Sequence, residues 1–158
     1  MLLTMGVLVM ICCGMCGAEE VTAASPSVVD IQAAVDSLDG PGTVHVPAGE
    51  AEAVGTLNLP PGTCLIGAGT DQTKLFRGGQ TDINAGKPMI LVSAGEDAPD
   101  APTQIAGLNL VGHTDPESAG WDSGIALGDV SDFRIDHCRF QAFGAAAISA
   151  RGLSPGVI

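Results

Sequence analysis

The sequence predicts an all-β chain wound as a solenoid of short parallel strands, and three observations carry that expectation. The chain repeats itself: Ile105-Ala-Gly-Leu108-Asn-Leu110 and Ile135-Asp-His-Cys138-Arg-Phe140 set apolar residues at the same offsets, 30 positions apart. Met89-Ile-Leu-Val92, Gly124-Ile-Ala-Leu127 and Ala147-Ile-Ser149 echo one another similarly, with Ile148 following Ile125 by 23 positions. The runs are short, alternate, and are split by Gly, Asp and Ser turns. Recurrence about every twenty to thirty residues is solenoid spacing, and it leaves no room for a crossover helix between parallel strands. Composition agrees. Hydrophobic residues make up 46% of the 158 residues, aromatics only 3%, and Gly numbers 22, so the core must be thin layers of Val, Ile, Leu and Ala between tight turns. A chain of this length is one domain at most.

Met1 to Ala18 is apolar apart from Thr4 and is broken by Gly6, Gly14 and Gly17. That is too short and too glycine-rich for a membrane span. Cys16-Gly17-Ala18 offers small residues ahead of a cleavage before Glu19, so residues 1–18 read as a secretory signal peptide and the protein as exported: secreted, periplasmic or at the cell surface. The usual basic start is missing, since no Lys or Arg precedes Lys74. A lipoprotein site at Cys12, Cys13 or Cys16 is the alternative, although Ile11, Cys12 or Met15 stands where such sites carry a small residue. Signal loss would leave Cys64 and Cys138. Both fall in apolar strand patterns several coils apart, beyond disulfide reach when strands stack about 4.8 Å apart, and they read as buried thiols.

Residues 19–26 read as a polar linker. The helix follows: Ser27 is a natural N-cap with Asp30 three residues on, and Val28, Ile31, Val35 and Leu38 share one face. Gly40 and Pro41 are expected to end it. A helix with one apolar stripe at the start of a solenoid has one place to put it, the open end of the first coil, which it caps. Strands are then expected at Thr43–Val46, Gly55–Leu59, Thr63–Ile66 and Thr73–Phe76, with corners at Pro47, Pro60-Pro61, Gly67-Ala-Gly69 and Gly78-Gly79.

Ile31-Gln-Ala-Ala-Val35, Gly42-Thr-Val-His-Val-Pro-Ala-Gly49 and Leu57-Asn-Leu-Pro-Pro-Gly-Thr-Cys-Leu-Ile-Gly-Ala-Gly69 together resemble the N-terminal part of right-handed parallel β-helix proteins of the pectate-lyase-like superfamily. The resemblance covers Ser27 to about Ile148. It implies a right-handed parallel β-helix over residues 27–158 with an N-terminal amphipathic capping helix. Catalytic groups in such families lie in middle coils, so a chain ending after four or five coils is expected to be truncated at its C-terminus. Its open end would be covered by further C-terminal coils or by self-association.

Charge narrows the partners. Six basic residues face 18 acidic ones, a formal net charge of -12. Nucleic acid and anionic membrane would both be repelled. An acidic sugar could be held only through a bridging cation or a local cluster of Arg and Lys.

Half of the carboxylates fall between Glu96 and Asp136. Asp115, Glu117 and Asp122 are candidate calcium ligands, because hard cations take carboxylate oxygens; the plainer reading is solvated turns. The insertion Gly112 to Asp122 carries the sole Trp. Trp121 could stack on a sugar ring, with His113 beside it as a second substrate contact. Arg134, His137 and Arg139 are candidate catalytic groups, since an Arg can clamp a carboxylate or act as base in a lyase; a solvated arginine pair is the plainer reading. No nucleophile elbow, phosphate loop or zinc spacing is present. The resemblance thus implies an exported protein acting on or binding polysaccharide, of lyase or glycoside hydrolase type with catalytic coils missing. The alternative is a non-catalytic glycan-binding or structural surface module.

Overall fold

A computed structural model describes residues 17, 19–78, 86–94, 101–113 and 122–151. The elements run β1 (Glu19–Thr22), α1 (Val28–Asp36), β2 (Gly42–Val46), β3 (Gly49–Glu52), β4 (Leu57–Leu59), β5 (Thr63–Gly67), β6 (Thr73–Phe76), β7 (Ile90–Ser93), β8 (Thr103–Ala106), β9 (Asn109–Val111), β10 (Ser123–Gly128), β11 (Phe133–Asp136), β12 (Arg139–Gln141) and β13 (Ala146–Arg151). They form three faces: β1-β2-β5-β8-β11, β3-β6-β9-β12 and β4-β7-β10-β13. Every pairing is parallel. The chain visits the faces in turn, so it is a parallel β-helix.

The sequence repeat is the strand register. Val44, Leu65, Ile105 and Ile135 stand in one column of aligned partners on the first face. Ala51, Leu75, Leu110 and Phe140 form the column of the second face, and Leu57, Ile90, Ile125 and Ile148 that of the third. Side chains of one strand alternate between the two sides of a sheet, so a residue that repeats at a fixed offset stacks on its own kind inside. Leu57, Leu65, Leu75, Ile90, Leu110 and Ile125 are fully buried as a result.

Each six-residue repeat block is two strands meeting at a corner. Gly107 turns the corner between β8 and β9 with φ 71°. A Cβ there would come within 2.6 Å of the Gly67 carbonyl oxygen, so glycine is required by both conformation and space. One coil later His137 turns the same corner with φ 48°, a conformation a side chain adopts at a cost.

The N-terminal end is closed as expected, by more than the helix. Ser27 accepts the Asp30 N–H at 3.1 Å. Ser25 relays between them, accepting the Ser27 N–H and donating to the Asp30 carboxylate. Helix α1 buries Val28, Ile31, Ala34 and Val35 and packs on β2 and β4. It ends at Asp36 with Ser37 as its C-cap, ahead of Gly40: the Ser37 hydroxyl donates to the Ala34 carbonyl at 2.7 Å and the Leu38 N–H to that of Val35 at 3.1 Å, a tighter closing turn. The Gln32 amide accepts the Asn58 N–H at 2.9 Å and donates to the Asn58 carbonyl at 3.1 Å, so one side chain pairs the edge of β4 as a strand would.

Two further expectations change. Residues 19–26 are not all linker: Glu19–Thr22 pair in register with Gly42–His45 and cover the edge of β2. Strand β3 carries no apolar alternation, only Ala51 inward between Glu50 and Glu52, and forms because β6 supplies its partner. Cys64 is not a free thiol. It is buried and disulfide-bonded. Cys138 is free and half-buried, its Sγ 3.6 Å from the Ile105 carbonyl oxygen, and burial pushes its thiol pKa up. Among the described residues no helix is long and apolar enough to cross a membrane.

Candidate functional site

The outward side of the second face carries the densest polar chemistry. Outward positions stack across strands as inward ones do, so Glu50, Lys74, Asn109 and Arg139 form one ladder. Lys74 Nζ lies 3.1 Å from Glu50 Oε2 and 5.6 Å from the centre of the Phe76 ring. Gln141 donates to Asn109 Oδ1 at 2.9 Å. Arg139 Nη1 reaches across the corner to Asp71 Oδ1 at 2.9 Å. These side chains line a depression of about 330 Å³, floored in part by Val111 and rimmed by Thr70 and Gln72. That volume suits one or two sugar rings. Lys74 and Arg139 lie two strands apart, about 10 Å at the strand spacing. Both remain partly exposed, at 35% and 49%, so a ligand can reach them.

The three candidate catalytic residues meet at the corner beside this depression. Arg134 and His137 share one carboxylate: Arg134 Nε contacts Asp136 Oδ2, and His137 Nδ1 lies 3.0 Å from Asp136 Oδ1. Gln104 also donates to Asp136, at 3.2 Å. The hydrogen bond from His137, and after it the Arg134 charge, hold the Asp136 carboxyl below the usual carboxylate range against an opposing burial effect. His137 is 84% exposed. It lines a second hollow of about 570 Å³ with Gly107, Cys138, Arg139 and Asp71, so Arg139 and Asp71 border both. The arginines are therefore outward but not simply solvated. Each is held by a carboxylate.

The insertion at Gly112–Asp122 is rooted in a buried charged cluster. His113 Nε2 and Asp122 Oδ2 approach to 3.1 Å with side chains only 4% and 1% exposed. The approach lacks the alignment of a hydrogen bond. His113 is thus inside the coil and presents no ring to a substrate. Arg77, itself 4% exposed, donates to the carbonyls of Ala53, Gly55 and Pro88 at 2.6, 2.5 and 2.9 Å. Burial lowers its pKa and the Asp122 charge opposes that effect. Asp122 therefore faces the Arg77 charge and the His113 ring, which leave little room for a calcium ion at its oxygens. Trp121, Asp115 and Glu117 lie outside the described residues. Among the described residues no group of three His, Cys, Asp or Glu side chains is placed to hold a metal.

The third face bears a groove of about 500 Å³, but Leu91, Ala126, Gly128 and Ala146 line much of it, and its polar side chains are Ser123, Ser149 and Arg151. It has the room for a ligand and few groups to recognise one.

The sequence singled out Arg134, His137 and Arg139, of which Arg139 alone lines the depression, and pointed to none of Asp71, Lys74, Asn109, Gln141 and Arg77. Asp71 and Arg139 are 68 positions apart. The 30-residue repeat does place Asn109 beside Arg139, but a different coil length separates Lys74 from Asn109, so no fixed period reaches Lys74. The chain matches no protein-family model, no curated protein and no solved structure.

Proposed function

We propose that this β-helix binds polysaccharide, holding acidic sugar units along the outward side of β3-β6-β9-β12. The observation that supports it is the meeting of Lys74 and Arg139 in one polar depression of a chain whose net charge is -12. An acid-rich protein keeps a polyanion only where its few cations are local, and two of its six basic residues line this site. Asn109, Gln141 and Gln72 supply neutral donors and acceptors for sugar hydroxyls. The Glu50 and Asp71 carboxylates lie at the surface, 65% and 82% exposed, and swing aside at small cost, because exposed ion pairs are weak. Export and membership of the pectate-lyase-like superfamily are part of the same proposal and rest on the sequence motifs.

The polar side chains of the depression support binding; turnover, with Arg134, His137 and Arg139 as its candidate groups, is the second reading. Calorimetric titration of the full chain with uronate oligosaccharides and their neutral counterparts tests the reading. We expect saturable, salt-sensitive binding of the acidic series, weakened about tenfold by Lys74→Ala or Arg139→Ala. Equal affinity for the neutral series, or variants that bind as well as the parent, would remove this site. Unsaturated ends appearing in the incubated oligosaccharide would make the protein a lyase.

A further inference from the structure

We infer that the depression takes a chain of equatorially linked pyranoses laid along the solenoid axis, one ring per coil, and holds the carboxylates of alternate rings. This rests on the proposed glycan binding and adds the register and length of the ligand. The first support is the order of charge along the ladder. Glu50, Lys74, Asn109 and Arg139 are successive aligned partners on β3, β6, β9 and β12. The outward side therefore reads acid, cation, neutral, cation, at steps of about 4.8 Å. An equatorially linked pyranose chain is extended, advances by close to one such step per ring, and turns each ring over relative to the last. Its carboxylates return to one side at every second ring, and Lys74 and Arg139 stand two steps apart.

The second support is what lies between and beside the two cations. Of the residues lining the depression only Lys74 and Arg139 are cationic. Between them Asn109, 7% exposed, accepts the Gln141 amide N–H at 2.9 Å. That bond sets the exposed Gln141 amide over the middle of the depression, where a turned-over ring presents hydroxyls. Phe76 and Val111 form the adjacent outward column, both half-buried, so an apolar strip for the C–H faces of the rings runs beside the polar ladder. A depression of about 330 Å³ takes the middle ring and the inner half of each neighbour.

Glu50 fixes the register. A uronate chain slipped by one ring would bring its carboxylates to Glu50 and Asn109, a like charge and a neutral amide, so the slipped arrangement is disfavoured. In the proposed arrangement the ligand carboxylates take the places of Glu50 on Lys74 and of Asp71 on Arg139.

Calorimetric titration of the full chain with hyaluronan di- and trisaccharides and with β-linked triglucuronate is the test. The hyaluronan trisaccharide that begins and ends in glucuronate carries two carboxylates in the proposed register. The one that begins and ends in N-acetylglucosamine carries a single central carboxylate. We expect the first to bind about tenfold or more tighter than the second and than the disaccharide, because two linked contacts act together. Triglucuronate binds no tighter than it, since the middle carboxylate points away. Lys74→Ala or Arg139→Ala brings the two-carboxylate trisaccharide down to the level of the disaccharide. Equal affinity for the two hyaluronan trisaccharides overturns the register and leaves a site for one carboxylate. Tighter binding of triglucuronate also overturns it. Failure of every acidic sugar to bind overturns the glycan reading and this inference with it.

Discussion

Replacing Ile105 by Ala should cost about three times what replacing Ile135 by Ala costs, although the two occupy the same place in the sequence repeat. Ile105 is 1% exposed and lies between Leu65 and Ile135 in the first-face column. Truncation removes three carbons, about 2.4 kcal/mol at ~0.8 per buried methylene. The neighbours above and below are held by their own strand ladders and cannot collapse inward. A cavity contribution therefore adds, bringing the loss to about 3–4 kcal/mol. Ile135 has Ile105 on one side and is only half-buried. Roughly half the transfer contribution applies and water fills the gap, so about 1–1.5 kcal/mol is expected. Urea unfolding followed by far-UV circular dichroism measures both. The slope with denaturant should match the parent, so that midpoints report stability. Equal losses, or a larger one at Ile135, would refute the reasoning, because neither fits a column covered from both sides at one position and from one side at the other.

Arg77→Met should lower stability by about 3–5 kcal/mol in the same assay, since it leaves three carbonyls and the Asp122 carboxylate without their buried cation; a loss below about 1 kcal/mol would show that the cluster is solvated. Gly107→Ala should destabilise by about 2 kcal/mol or more through positive φ and contact with Gly67, while His137→Gly at the equivalent corner should stabilise by about 0.5–1 kcal/mol. Opposite signs at the two corners are the readout, by thermal or urea unfolding. Asp136 has its folded pKa depressed by His137 and Arg134. Its contribution is therefore present above the unfolded carboxylate value and fades as pH falls through the lower folded value. Exposed partners keep it below about 1 kcal/mol. Asp136→Asn should flatten that part of the acid limb of the stability profile, and an unchanged limb would remove the assignment.

The interior of this protein was legible in its sequence. Ile105, Leu108 and Leu110 recur as Ile135, Cys138 and Phe140, and the recurrence is the register itself, because a parallel coil has one inside and equivalent residues must stack there. The capping helix was legible for a similar reason: Ser27 and the stripe from Val28 to Val35 are local signals read within three turns of chain. Strand β3 and the pairing of Glu19–Thr22 were not legible, since neither has an apolar alternation of its own and both depend on a partner strand for formation. The outward face was the least legible. Lys74, Asn109 and Arg139 become neighbours only because corners of unequal length bring each coil back to the same face, and Asp71 reaches Arg139 across 68 residues. Burial imposes a period on a sequence, because a wrong residue inside costs kilocalories. Exposure imposes none. The sequence therefore determined the solenoid and its core, and the tertiary structure alone decided which charges share a groove and which polar groups are buried together at Arg77, His113 and Asp122.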